Sequence, residues 1–154
     1  MAARDYYQGA YFTSANPGEI VTKVKFKPPH SAHGYAYQKL KRKVGDYATA
    51  AAAVIVEIAK GKVIYASIAL TNLADTPLHA QKASEMLVGT ELTDVDIKAA
   101  AIAAREITAP IPDSRGTVDY KRAMTSVMVT RALNIAKSRA GEAKKGGGMG
   151  WLKR

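Results

Sequence analysis

The segment Lys39-Leu40-Lys41-Arg42-Lys43-Val44-Gly45-Asp46-Tyr47-Ala48-Thr49 gathers the residues of this chain best suited to chemistry at a surface. Four cations within five positions precede a glycine turn, an acid, an aromatic ring and a hydroxyl. Such a run marks a strand–turn–strand corner, and it reads two ways. Lysines at a hairpin edge discourage strand-to-strand aggregation. The same corner offers cations to an anionic ligand and an aromatic face to a ring. Composition alone weighs the two equally.

Other chemistry finds little support. There is no cysteine, which excludes disulfides, Cys-ligated zinc, iron–sulfur clusters and Cys nucleophiles within this chain. The histidines are His30, His33 and His79. His30 and His33 follow two prolines in an expected loop with no carboxylate cluster nearby, so exposed histidines fit better than a metal site. Gly146-Gly147-Gly148-Met149-Gly150 is glycine-rich but leads into no helix, so it makes no phosphate cradle. None of the serines sits in a nucleophile elbow. Nothing in the sequence forms a self-contained active site.

The balance of charge is basic, 23 Lys+Arg against 13 Asp+Glu for a net +10, and nucleic acid is the first anionic partner to consider. The cations divide between the 39–43 corner and a C-terminal stretch of Lys137, Arg139, Lys144, Lys145, Lys153 and Arg154 around the glycines. That division speaks against a specific reader of sequence. No apolar run approaches the ~20 residues of a membrane span. The first residues lack the apolar core of a signal peptide, so the expected location is the cytoplasm.

The elements that must position the corner follow from periodicity. The 154 residues suit one domain on the usual scale of roughly 100–200 residues. Residues 19–26 alternate apolar and polar at Ile20, Val24 and Phe26, which predicts a half-buried strand stopped by Pro28-Pro29. Residues 34–41 and 62–71 predict two more strands. Lys60-Gly61-Lys62 is a hairpin turn, and it requires an antiparallel partner in 49–59. Ala50-Ala51-Ala52-Ala53 favours helix by propensity, but Val54, Ile55, Val56 and Ile58 and the turn favour strand. Thr76-Pro77 predicts a capped helix over 78–88, ended at Gly89. Thr93 to Asp96 resembles a capping box for a helix over 94–107, stopped ahead of Pro110 and Pro112. Gly116-Thr117 opens a third and longest helix with Asp119 in its first turn, ended at Gly141. Strands first and helices after argue α+β: an antiparallel sheet of three to four strands followed by three helices packed on one face.

The stretch from Tyr37 to Ala50 closely resembles the FAD-binding medium subunit of the molybdenum hydroxylases, the carbon monoxide dehydrogenase and xanthine dehydrogenase family. Three further stretches agree in order. They are Ala2 to Gly9 with Thr13 and Pro17-Gly18-Glu19-Ile20, then Ile68 to Pro77, and then Asp113-Ser114-Arg115-Gly116-Thr117-Val118-Asp119. The resemblance covers nearly all of residues 2–139. It implies residues 1–30 as a lead-in continuing from an FAD domain, residues 31–140 as the subunit's C-terminal domain, and residues 141–154 as a flexible basic tail. It also settles Ala50–Ala53 as strand.

The family binds FAD chiefly through two glycine-rich loops, and neither is in this sequence. The resemblance therefore implies the C-terminal part of an electron-transfer subunit. That part would partner an FAD-domain polypeptide, a molybdopterin large subunit and a two-cluster iron–sulfur small subunit, and it would not be catalytic alone. It makes Tyr47 the candidate for contact with the flavin ring, with Asp46 and Thr49 as neighbours in the motif. Val21 matches a flavin-near aliphatic position in the xanthine dehydrogenase branch, and Gln38 stands where that branch has lysine. The structural alternative is that Asp46 only caps the turn and Tyr47 only packs. The functional alternative is a stand-alone basic module that binds nucleic acid or docks subunits.

Overall fold

The computed structural model describes residues 1–29 and 33–145, with the backbone alone for 141–145. The chain opens with a one-turn helix α1 (Ala3–Tyr6) and a small hairpin of β1 (Tyr7–Gly9) and β2 (Phe12–Thr13). The main sheet comprises β3 (His33–Leu40), β4 (Ala50–Ala59), β5 (Lys62–Thr71) and β6 (Leu78–His79), antiparallel throughout and in that spatial order. Helices α2 (Gln81–Leu87), α3 (Asp94–Glu106) and α4 (Val118–Lys145) complete the fold. α4 lies across β3 and β4, α2 packs on β5, and α3 fills the space against α2 and α4. This is the expected α+β architecture, a four-stranded antiparallel sheet with three helices on one face.

The alanine run is strand, as the turn demanded. Ala53 pairs with Tyr37 on one side and Ala69 on the other, so β4 is held by ladders at both edges. Lys60 and Gly61 connect β4 to β5 with φ of 50° and 80°. Positive φ at both central positions is what a two-residue hairpin of right-handed twist needs. Alternate residues Ala50, Ala52, Val54 and Val56 of β4 and Ile68 and Leu70 of β5 face Leu87, Ile97, Val129 and Leu133 from the helices. Each such large aliphatic side chain contributes about 1.5–3 kcal/mol through removal from water. Small residues let the layers approach: Ala132, Ala136 and Ala140 of α4 are fully buried against the sheet.

Several expectations need correction. Residues 19–26 form no strand, and Ile20, Val24 and Phe26 are 82%, 63% and 86% exposed. Their alternation is real, but a strand exists only where a partner edge accepts it, and among the described residues none does. The helix expected over 78–88 starts only at Gln81. Leu78 and His79 instead pair with Leu70 and Ala69, adding a short strand to the open edge of β5. Ala80, not Thr76, precedes the first turn, and its amide donates to the Ile68 carbonyl at 2.9 Å. His33 lies in β3 opposite Glu57 rather than in a loop. α4 passes through Gly141 and continues to Lys145, because helical bonding in so long a helix outweighs one glycine. His30 and the glycine run 146–150 fall outside the described residues.

Other local signals hold. Val88 leaves the helix and Gly89 follows with φ 86°, closing α2. Thr93 and Asp96 form the capping box: Thr93 Oγ1 accepts from the Asp96 amide, and Asp96 Oδ2 accepts from the Thr93 amide at 2.7 Å. Thr117 Oγ1 accepts from the Tyr120 amide at 3.2 Å at the start of α4.

Candidate functional site

Two loops meet at one end of the sheet. The first is the β3–β4 connection, residues 41–49. Its neck is closed by Thr49 N–H donating to the Leu40 carbonyl at 2.8 Å, and Asn72 Nδ2 donates to the Ala48 carbonyl from the end of β5. Gly45 turns the loop with φ 82°, and the Asp46 amide donates back to the Lys43 carbonyl at 3.3 Å. The second loop, 113–116, precedes α4. Asp113 and Gly116 exchange backbone hydrogen bonds of 3.2 and 3.1 Å, and the Arg115 amide donates to Asp113 Oδ1 at 2.8 Å.

The loops are joined by charge. Arg115 donates through one terminal nitrogen to Asp46 Oδ1 at 3.0 Å, and its other terminal nitrogen lies 3.6 Å from Asp113 Oδ2. Asp46 Oδ2 accepts from Arg42 Nε at 3.3 Å, and Asp46 Oδ1 also accepts from the Tyr47 amide at 2.8 Å. Lys121, whose side chain is 2% exposed, donates to the Ile111 carbonyl at 2.7 Å and pairs with Asp113 Oδ2 at 3.0 Å. A lysine so buried is tolerable only because its ammonium meets both a carboxylate and a carbonyl.

The electrostatics follow the contacts. The hydrogen bond from Arg115 holds the Asp46 carboxyl below its ordinary range; burial opposes it, and Arg42 and the Tyr47 amide add smaller lowering contributions. Asp113 is lowered first by Lys121. Arg115 is raised in turn, chiefly by Asp46.

Tyr47 stands out from this cluster. Its side chain is 79% exposed, and the Arg115 guanidinium carbon lies 5.6 Å from the ring centroid. Packing among the described residues therefore does not account for Tyr47. Asp46 does cap its own turn, but it also anchors Arg115. Thr49 is 3% exposed and faces inward at the loop neck. Gln38 is half-buried on β3, on the face opposite Tyr37, and its Nε2 donates to the Tyr37 carbonyl at 3.3 Å. Val21 lies elsewhere, with Tyr6, Tyr7, Ile20 and Val24, in the wall of a wide cleft of about 920 Å³ in the N-terminal segment. The structure thus groups Asp46, Tyr47 and Thr49 in one loop and leaves Gln38 and Val21 apart. Arg115, Asp113 and Lys121 are the residues that sequence reasoning did not place at the site. Their signal was present in the Asp-x-Arg-Gly opening of the last helix.

What the arrangement offers is an aromatic ring, presented to solvent on a loop braced by ion pairs. Such a ring can stack on a planar conjugated ligand. Among the described residues no group of three or more His, Asp or Glu is placed to hold a metal ion, and no helix is long and apolar enough to cross a membrane.

Comparison with known proteins gives a consistent picture. Residues 35–136 match the CO dehydrogenase flavoprotein C-terminal domain. The carbon monoxide dehydrogenase medium chain of Afipia carboxidovorans is 54% identical over 140 residues, covering 91% of this chain and 49% of that protein. The medium chain of Hydrogenophaga pseudoflava is 40% identical over 139 residues, covering 90% of this chain and 48% of its own. The crystal structure of the cyanide-inactivated Cu,Mo-CO dehydrogenase superposes with a TM-score of 0.88 at 53% identity, over 90% of this chain and 49% of that one. The chain thus spans about half the length of the curated relatives it matches.

Proposed function

This chain belongs to the CO dehydrogenase flavoprotein C-terminal domain family, and from that premise we propose that it is the C-terminal part of an FAD-containing electron-transfer subunit of a molybdenum hydroxylase. Its partners are the polypeptide that carries the glycine-rich FAD loops, a molybdopterin large subunit and an iron–sulfur small subunit, and the complex works in the cytoplasm. Bound FAD supplies the chemistry, taking electrons from the iron–sulfur clusters and releasing them to an acceptor. Residues 31–140 form the domain, and the matched region 35–136 lies within those bounds.

The observation that carries this reading is the exposed ring of Tyr47 on a braced loop, at the position the family resemblance marks for flavin contact. The residues present fit the ring end of the cofactor. They do not fit its pyrophosphate end, since among the described residues no glycine-rich loop opens a helix. Asp46 fixes the backbone that carries Tyr47, and Thr49 closes the loop beneath it. The cations divide between the 39–43 corner and the C-terminal stretch, and that division disfavours the nucleic-acid module.

The test is affinity purification of this chain from its source. The expected result is a complex holding molybdenum, iron, acid-labile sulfide and FAD, with one polypeptide carrying the glycine-rich loops. Recovery of the chain alone, or with nucleic acid and no flavin, would overturn the proposal.

A further inference from the structure

Tyr47 is exposed over most of its surface, and a guanidinium lies over its ring. The Arg115 guanidinium lies 5.6 Å from its centroid and shields the ring on that side, while 79% exposure leaves the rest of it open. Arg115 is itself held at both terminal nitrogens, by Asp46 and more distantly by Asp113, and its side chain is only 20% exposed. Its backbone sits in the 113–116 turn, closed by two hydrogen bonds and continuous with α4, whose buried face is part of the core. The buried Lys121 fixes Asp113 from below. A chain of fixed groups thus runs from the core through Lys121, Asp113 and Arg115 to Asp46 and Tyr47.

We infer that Arg115 is a positioning residue for Tyr47: it shields one side of the ring, ties its loop to the start of α4, and leaves the opposite face free to receive the planar ligand. This rests on the flavin reading above. A planar guanidinium stacks on an aromatic face while its edge forks onto carboxylates, and an ammonium cannot do both. Lysine at this position therefore keeps the charge and loses the orientation. Glutamine loses the charge as well and leaves the Asp46 carboxylate beside Tyr47 without its main partner. With only the more exposed Arg42 left to offset it, that negative charge disfavours adding electrons to a neighbouring ring.

Two measurements test the inference. In the full chain without cofactor, ¹³C relaxation of the Tyr47 ring reports its order. Arg115→Lys and Arg115→Gln should both loosen the ring, with the remaining tyrosines unaffected. An equally ordered Tyr47 ring in both variants would overturn the inference and leave Arg115 as an ion pair alone. In the flavin-loaded complex, Arg115→Lys should alter the flavin absorption band. Arg115→Gln should in addition move the flavin reduction potential to more negative values. A ring loosened by both substitutions beside an unchanged flavin would also overturn it, provided Tyr47→Ala alters that flavin. If Tyr47→Ala leaves the flavin unchanged too, the flavin reading fails and this inference with it. The ring relaxation would still show whether Arg115 orders Tyr47.

Discussion

Gly34 of β3 lies directly against the backbone of α4 at Ala136: a Cβ placed on it would overlap the Ala136 carbonyl oxygen and come within 2.8 Å of the Ala140 nitrogen. The opposing atoms are main chain in the middle of a long helix, so they cannot turn aside as a side chain would. Gly34→Ala should therefore act as an overpacking mutation. The expected loss is at or beyond the upper end of the ~1–3 kcal/mol usual for such changes. Urea denaturation of the full chain measures it, and a loss below about 1 kcal/mol would show that α4 is free to shift on the sheet.

Acid stability follows from the ion-pair cluster. Asp46 and Asp113 have carboxyls lowered in the folded chain, first by hydrogen bonds from Arg115 and from Lys121 respectively. A depressed folded pKa contributes stability that is fully present above the unfolded value of about 3.9 and is lost as pH falls through the folded one. Stability should thus be level in this respect from neutral pH to about pH 5 and decline below about pH 4. Asp46→Asn should start lower at neutral pH and decline less steeply with acid. Thermal melts of both proteins from pH 7 to pH 2.5 test the sign; parallel curves would mean that the Asp46 pair carries no net free energy.

FAD should bind this chain weakly or not at all in isolation. Ring stacking alone must offset the ordering of the whole cofactor, and the backbone amides that would hold the pyrophosphate are not in this sequence. Titration followed by flavin fluorescence should show no saturable quenching at micromolar FAD. Stoichiometric binding would mean that an unrecognised phosphate site exists here.

Local pattern carried much of the fold. The β4–β5 hairpin was legible because Lys60-Gly61 needs two strands beside it, and that need overrode the helical propensity of Ala50–Ala53. The capping box at Thr93 and Asp96 was legible because both partners lie within four residues. The edge strand Leu78–His79 was not, because Thr76-Pro77 looks like a helix start and only the unpaired edge of β5 explains why the chain stays extended for two residues more. The alternation at Ile20, Val24 and Phe26 misled for the converse reason, since it describes a strand whose edge is not among the described residues. At the site, Asp46 and Arg115 were each visible within a motif. Their contact joins positions 69 apart in the chain and depends on how β3, β4 and α4 pack, which no local pattern encodes.

Tyr47→Ala separates ligand contact from structure. A buried aromatic truncated to alanine costs about 3–5 kcal/mol, largely from the cavity left behind. Tyr47 is 79% exposed, so no such cavity forms. What the chain loses is the Arg115 contact, worth about 0.5–1 kcal/mol at an exposed site. The melting temperature of the isolated chain should thus fall by only a few degrees, about 2–4 °C per kcal/mol for a chain near this size. In the assembled complex the same substitution would remove the ring proposed to stack on the flavin and admit water there. The flavin absorption band and reduction potential should shift, and electron delivery to an external acceptor should slow. Reduction of the molybdenum and iron–sulfur centres by substrate should be nearly unchanged, since the proposed function assigns those centres to other polypeptides. Spectra, potentials and melting curves on one preparation distinguish the cases. A small stability loss with an altered flavin places Tyr47 at the cofactor. An unaltered flavin in a fully assembled complex would reject the contact whatever the melting curve shows.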